Sequence, residues 1–195
     1  LLILIQPPLS LFFLACFALV PLFFLLEKGN LFISFLAGMV TGVVSYTGLL
    51  YWVVIAMNRY GGIEIGLSVA ILLLLVLYLS FYTACFTLCI TYLYRRLSIP
   101  FFLSAPCVWV LLEYLRGKAL TGFPWSLLAY SQYNALPFIQ VVSLTGPYFI
   151  SYMVVAFNAI IFSMIEIYCY NSRGRLSAYL YTIVICILFM GSLVF

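Results

Sequence analysis

WVLLEYLRGKALTGFPWSLLAYSQ, residues 109–132, sets Glu113, Arg116 and Lys118 beside a Gly-Phe-Pro-Trp turn, in a chain otherwise built almost wholly of membrane-type residues. A charged side chain in or near hydrocarbon is costly, so such a cluster next to a helix-breaking turn is by default a functional-site candidate. Glu113 and Arg116 stand three apart and share a helix face. They read either as a paired anchor at the membrane edge, with the arginine snorkelling, or as a site that leaves one partner free for a lipid headgroup. The turn Gly122-Phe123-Pro124-Trp125 has the same two readings: rigid interfacial aromatics, or the wall of a lipid-binding cleft. The candidate cleft residues are therefore Glu113, Arg116, Phe123, Trp125, Tyr130 and Gln132.

Outward from this stretch, the composition decides the class. Of 195 residues, 68% are hydrophobic and 6% charged, and the mean hydropathy is +1.29, far from an ordinary soluble domain. Apolar runs recur without period-2 alternation, which favours helices over a transmembrane barrel. The expected fold is all-α: a single transmembrane domain, a polytopic helical bundle of about six spans with an irregular outer loop. The expected spans are residues 9–26, 31–57, 65–94, 101–116, 148–170 and 176–195. Region 117–147, interrupted by Gly122, Pro124, Pro137 and Gly146, is expected to be a loop with one or two short interfacial or re-entrant helices. In the second span Ser34, Gly38, Gly42 and Ser45 form a small-residue stripe suited to close helix packing. Gln6-Pro7-Pro8 blocks a continuous helix from the opening Leu-Leu-Ile-Leu-Ile, which reads as the tail of an earlier span.

This arrangement puts Lys28, Arg95, Arg96, Arg173 and Arg175 on one side and Arg59, Arg116 and Lys118 on the other. The positive-inside rule then places loop 117–147 and Phe195 on the outer side of the membrane. The net charge of +4 is scattered singly through the turns, so it reads as topology and implies no nucleic-acid partner. Six cysteines lie mostly in apolar runs, where thiols act as small hydrophobes; a disulfide framework is not expected. Cys85 and Cys89 stand four apart, but there is no histidine in the chain and no acidic ligand nearby, so neither metal nor cofactor is expected. Cys107, Glu113 and Lys118 do not fall on one face and form no triad, and serine hydrolysis lacks both a histidine and a G-x-S-x-G elbow. Glu166 reads as an edge residue or a partner for Arg173 or Arg175. No catalytic residue is expected in this chain.

The run W-V-L-L-E-Y-L-R-G-x-x-L-T-G-F-P-W-x-x-L-x-Y-S-Q resembles the membrane part of bacterial apolipoprotein N-acyltransferases. Pro7, Tyr51-Trp52-Val53, Tyr60-Gly61-Gly62, Tyr78-Leu79-Ser80 and the stretch from Pro137 to Asn158 are similar to the family in the same order. The resemblance implies a bundle that anchors an outward-facing nitrilase-like domain, which takes an acyl chain from a phospholipid onto a cysteine. That domain then passes the chain to the amino group of a diacylated lipoprotein's cysteine. In such families the catalytic glutamate, lysine and cysteine lie in the soluble domain, after the sixth span, so no position here inherits them. The chain is expected to be the membrane module, inactive alone. Its implied partners are a phospholipid acyl donor, a diacylated apolipoprotein, the nitrilase-like domain and membrane lipids. Two alternatives stay open: a non-catalytic scaffold or transporter-like bundle, and the membrane module of a polyprenol-phosphate mannosyltransferase. The sequence following Phe195 separates the three.

Overall fold

A computed structural model describes residues 1–6, 11–119, 122–170 and 184. The expected span 176–195, Val184 aside, lies outside them. The described residues form an all-α bundle, as the composition requires.

Its centre is a close pair of antiparallel helices, α2 (Leu31–Leu50) and α4 (Ile65–Leu97), linked through the short α3 (Trp52–Arg59). Asn30 caps α2 by accepting a hydrogen bond from Ile33 N at 2.8 Å. The small-residue stripe faces α4. A Cβ added at Gly38 would stand 2.6 Å from Ala84 Cα, and one at Gly42 would stand 2.7 Å from Ser80 Cα. Without side chains at these positions the two backbones approach as small-xxx-small motifs allow. Ser80 Oγ donates to Val76 O of its own helix at 2.6 Å, and Thr91 Oγ1 donates across the contact to Ser34 Oγ at 3.0 Å. Gly42→Ala should therefore lower stability by about 1–3 kcal/mol through overpacking. Thermal unfolding in detergent measures it; a loss below half a kcal/mol would mean that the helices can separate at no cost.

Residues 9–26 do not form one continuous helix. A 3₁₀ turn, Phe12–Cys16, precedes α1 (Val20–Lys28). Pro21 lies in the first turn of α1, where its missing N–H is least harmful, so the helix starts afresh there. The interruption leaves backbone groups to be satisfied, and Asn158 of α7 (Pro147–Tyr170) does this. Its Oδ1 accepts from Leu19 N at 2.8 Å, and its Nδ2 donates to Ala15 O at 2.7 Å and Val154 O at 2.8 Å. Asn158 is wholly buried.

α5 (Phe101–Arg116) and α7 complete the bundle. Around Phe101 the core is aromatic: its ring stacks on Phe23 at 5.6 Å and on Tyr94 at 4.5 Å, with Phe162 at 5.5 Å. Loop 117–147 contains a 3₁₀ turn, Leu128–Gln132, and α6 (Leu136–Thr145). Among the described residues, three helices are long and apolar enough to cross a membrane: Leu31–Leu50, Ile65–Leu97 and the Pro147–Tyr168 part of α7. Phe32, Val40, Val44, Leu73, Leu74 and Leu77 are exposed along α2 and α4, a face suited to lipid rather than water.

Two contacts define the ends. Arg95 Nη2 donates to Glu27 O at 3.0 Å, joining the α1–α2 and α4–α5 turns. At the other end Trp52 stacks on Trp125, with ring centroids 5.2 Å apart. The positively charged last turn of α4, with Arg95 and Arg96, also suits the negative end of its helix dipole.

Candidate functional site

α5 carries Glu113 and Arg116 in its last turns, and the chain then doubles back on them. Gly122 adopts φ +81°, and a Cβ there would stand 2.3 Å from Gly117 O, so only glycine allows the reversal. Phe123 N donates to Arg116 O at 3.0 Å, which pins the returning strand of backbone to the helix end. Trp125, Ser126 and Leu128 are thereby placed against the two charged side chains.

Both side chains are buried, Glu113 to 5% exposure and Arg116 to 3%. Arg116 Nη1 donates to the Tyr46 hydroxyl, and its Nη2 donates to Trp125 O at 3.3 Å and Ser126 O at 3.4 Å. The guanidinium also lies over the Tyr46 ring, 5.7 Å from its centroid. Glu113 Oε1 accepts from Leu128 N at 2.8 Å. The cation thus takes two carbonyls of one turn and the carboxylate takes an N–H of the same turn, which gives each charge a charge-assisted partner. The turn needs this support, because Ser126 sits at φ 57°, a left-handed conformation that costs a non-glycine residue roughly 1–2 kcal/mol.

The aromatic residues face outward from this buried frame. Trp125 is half exposed and stacks on Trp52 with an interplanar angle of 19°. Phe123 lies 5.7 Å from the Trp125 ring and packs against the Tyr46 and Leu50 cluster. Lys118 is exposed, with Nζ 5.9 Å from the Tyr114 ring centroid.

Of the six candidates, Glu113, Arg116, Phe123 and Trp125 come together. Tyr130 and Gln132 lie on the following 3₁₀ turn. Tyr130 is exposed, whereas Gln132 is buried, its Nε2 donating to Phe12 O at 3.2 Å and Ser131 Oγ at 3.0 Å. That turn is tied to the bundle by Gln6 Nε2 donating to Leu127 O and by Ala129 N donating to Ser151 Oγ, both at 3.0 Å.

Three residues that matter here escaped the sequence reading. Tyr46 supplies a hydroxyl to Arg116 from 70 residues earlier, and its only signal was a phenol one position after the small-residue stripe. Ser151 and Asn158 were signalled only as polar residues within an apolar helix. Cys16, Cys85, Cys89 and Cys107 are free thiols. Cys107 is exposed on α5 while Glu113 is buried, so the two occupy different environments. Glu166 is buried, and its expected partners Arg173 and Arg175 lie outside the described residues.

Comparison with known proteins gives the family. Residues 1–160 match the family model described as the apolipoprotein N-acyltransferase N-terminal domain. The chain belongs to that family. An apolipoprotein N-acyltransferase of Geobacter metallireducens is 38% identical over 136 residues, covering 68% of this chain and 25% of the relative. One of Wigglesworthia glossinidia brevipalpis is 32% identical over 127 residues, covering 65% of this chain and 25% of the relative. Apolipoprotein N-acyltransferase 1 of Treponema denticola is 29% identical over 147 residues, covering 75% of this chain and 25% of the relative. The chain therefore spans about a quarter of the length of these relatives. The match reaches past Gln132, so residues 113–132 lie within the matched N-terminal domain.

Proposed function

We propose that this chain is the membrane module of an apolipoprotein N-acyltransferase, a single domain of six crossings in the bacterial inner membrane with region 117–147 on the periplasmic side. It seats a nitrilase-like catalytic domain and shapes the cleft through which a phospholipid acyl donor and a diacylated apolipoprotein enter from the bilayer. The observation that carries this reading is the exposed Trp52–Trp125 stack with Phe123, held at one end of the bundle by buried Glu113 and Arg116. Amphipathic aromatics of this kind suit the headgroup level, where a lipid substrate must leave the leaflet. In this reading Trp125, Phe123 and Tyr130 touch lipid, and Glu113, Arg116 and Gln132 position them. No cofactor is assigned.

The test uses the full-length enzyme and labelled phospholipid, with transfer to a diacylated lipoprotein as readout. Trp125→Ala should reduce transfer about 2- to 10-fold, the range expected for one aromatic contact of about 0.5–1.5 kcal/mol. The chain by itself should transfer nothing. Unchanged transfer by Trp125→Ala at equal protein level would defeat the cleft role, and transfer by the chain alone would defeat its role as a module without catalytic groups.

A further inference from the structure

The last turn of α4 carries Arg95 and Arg96, and the start of α2 lies beside it. Between them is an open hollow of about 460 Å³, lined by Asn30, Leu31, Phe32, Arg95 and Arg96. It is at the opposite end of the bundle from the Trp52–Trp125 stack, so the cleft proposed above makes no use of it. We propose that this hollow binds the phosphate of an anionic phospholipid whose acyl chain lies along the outside of α2. This is a resident membrane lipid, separate from the acyl donor.

Charge decides the headgroup. Both charged residues of the lining are arginines, whose planar forks match phosphate oxygens. Arg95 Nη2 donates to Glu27 O at 3.0 Å, which fixes that guanidinium at the rim and leaves its other N–H groups for an anion. Arg96 is exposed and has no hydrogen bond or ion pair among the described residues. The Asn30 side chain is already committed to Ile33 N, and neither Glu27 nor Glu166 lines the hollow. Shape decides for a lipid over a free phosphate. Phe32, part of the wall, is 69% exposed, and Leu36, Val40 and Val44 follow it at four-residue spacing, all exposed. Residues four apart are neighbours on a helix surface, so these side chains form an apolar strip that starts at the arginines and runs about 18 Å along α2. One leaflet of hydrocarbon is about 15 Å deep, so the strip has the length of one acyl chain. Basic hollows between helix ends at the membrane surface bind anionic headgroups in just this way. A zwitterionic lipid would bring its own ammonium beside the two arginines and lose most of that gain.

The test titrates the full chain in a non-ionic detergent with dioleoyl phosphatidylglycerol or dioleoyl phosphatidylcholine and reads the first bound lipid by native mass spectrometry. The glycerol lipid should bind at least about fivefold more tightly than the choline lipid. Arg96→Gln should weaken phosphatidylglycerol about fivefold, the effect of one surface cation on an anionic lipid. Arg96 is exposed, so the variant keeps the fold. Arg59→Gln, in the last turn of α3 at the other end, removes the same charge and should leave the first binding step unchanged. Inorganic phosphate at the concentration of the lipid should not displace it. Equal affinity for the two lipids, no change in Arg96→Gln, or an equal loss in Arg59→Gln would overturn the proposal. Displacement by inorganic phosphate would overturn it too, because the hollow would then take a free anion and not a lipid.

Discussion

Arg116→Met should destabilise the bundle by about 3–5 kcal/mol, the usual result of stranding a buried charge by removing its opposite. The methionine matches the volume of the stem and keeps its apolar packing, so the loss isolates the guanidinium. Without it, Trp125 O, Ser126 O and the Tyr46 hydroxyl lose their donor, and the Glu113 carboxylate stays buried with one N–H partner. Arg116→Lys should recover only part of the loss. It restores the charge, but a single ammonium cannot present the fork that reaches a hydroxyl and two carbonyls at once. Adding Glu113→Gln to Arg116→Met should then restore part of the stability by removing the stranded carboxylate, and a double-mutant cycle reads that coupling directly. Urea or thermal unfolding in detergent of wild type, Arg116→Met, Glu113→Gln, the double variant and Arg116→Lys supplies all five numbers. A loss below about 1 kcal/mol for Arg116→Met would show that water already reaches this pocket freely.

The same pair shows how far a sequence carries such a site. Spacing of three placed Glu113 and Arg116 on one face, and the Gly-Phe-Pro-Trp turn marked a reversal. Both features exist within one local segment, so both were legible. What the two charges bind was not, because it depends on tertiary return. Arg116 meets Tyr46 from a different helix and meets carbonyls nine and ten residues ahead only because Gly122 folds back over Gly117. An ion pair was one natural expectation; instead each charge is spent on the backbone of the turn. The fold divides the same way. Helical bundle class, the α2–α4 stripe and the long α4 follow from composition and period. The interruption of residues 9–26 does not follow from hydropathy, since Phe12 to Leu26 is apolar throughout. It follows from Pro21 and from a partner 139 residues away from Leu19.

That partner supports the second large expectation: Asn158→Leu should cost about 2–6 kcal/mol. The substitution is close in size and more apolar, so on hydropathy alone it would be called favourable in a membrane helix. The hydrogen bonds reverse that expectation. Leu19 N and Ala15 O lie where the first segment leaves helical geometry, so neither has the intrahelical partner that bilayer-buried backbone requires. Asn158 bonds both, and removing it strands a buried donor and a buried acceptor at about 1–3 kcal/mol each. Val154 O loses less, because it is also a carbonyl of its own helix. Asn158→Asp separates shape from chemistry: it keeps the acceptor for Leu19 N but loses the donor to Ala15 O and adds a charge, so it should be at least as damaging. Asn158→Gln should be milder only if the added methylene can be absorbed near Ala15 and Leu19, which are both buried. Unfolding free energy of the three variants in detergent gives the order. Wild-type stability in Asn158→Leu would mean that the break between Cys16 and Val20 can rewind into a continuous helix and satisfy its own backbone.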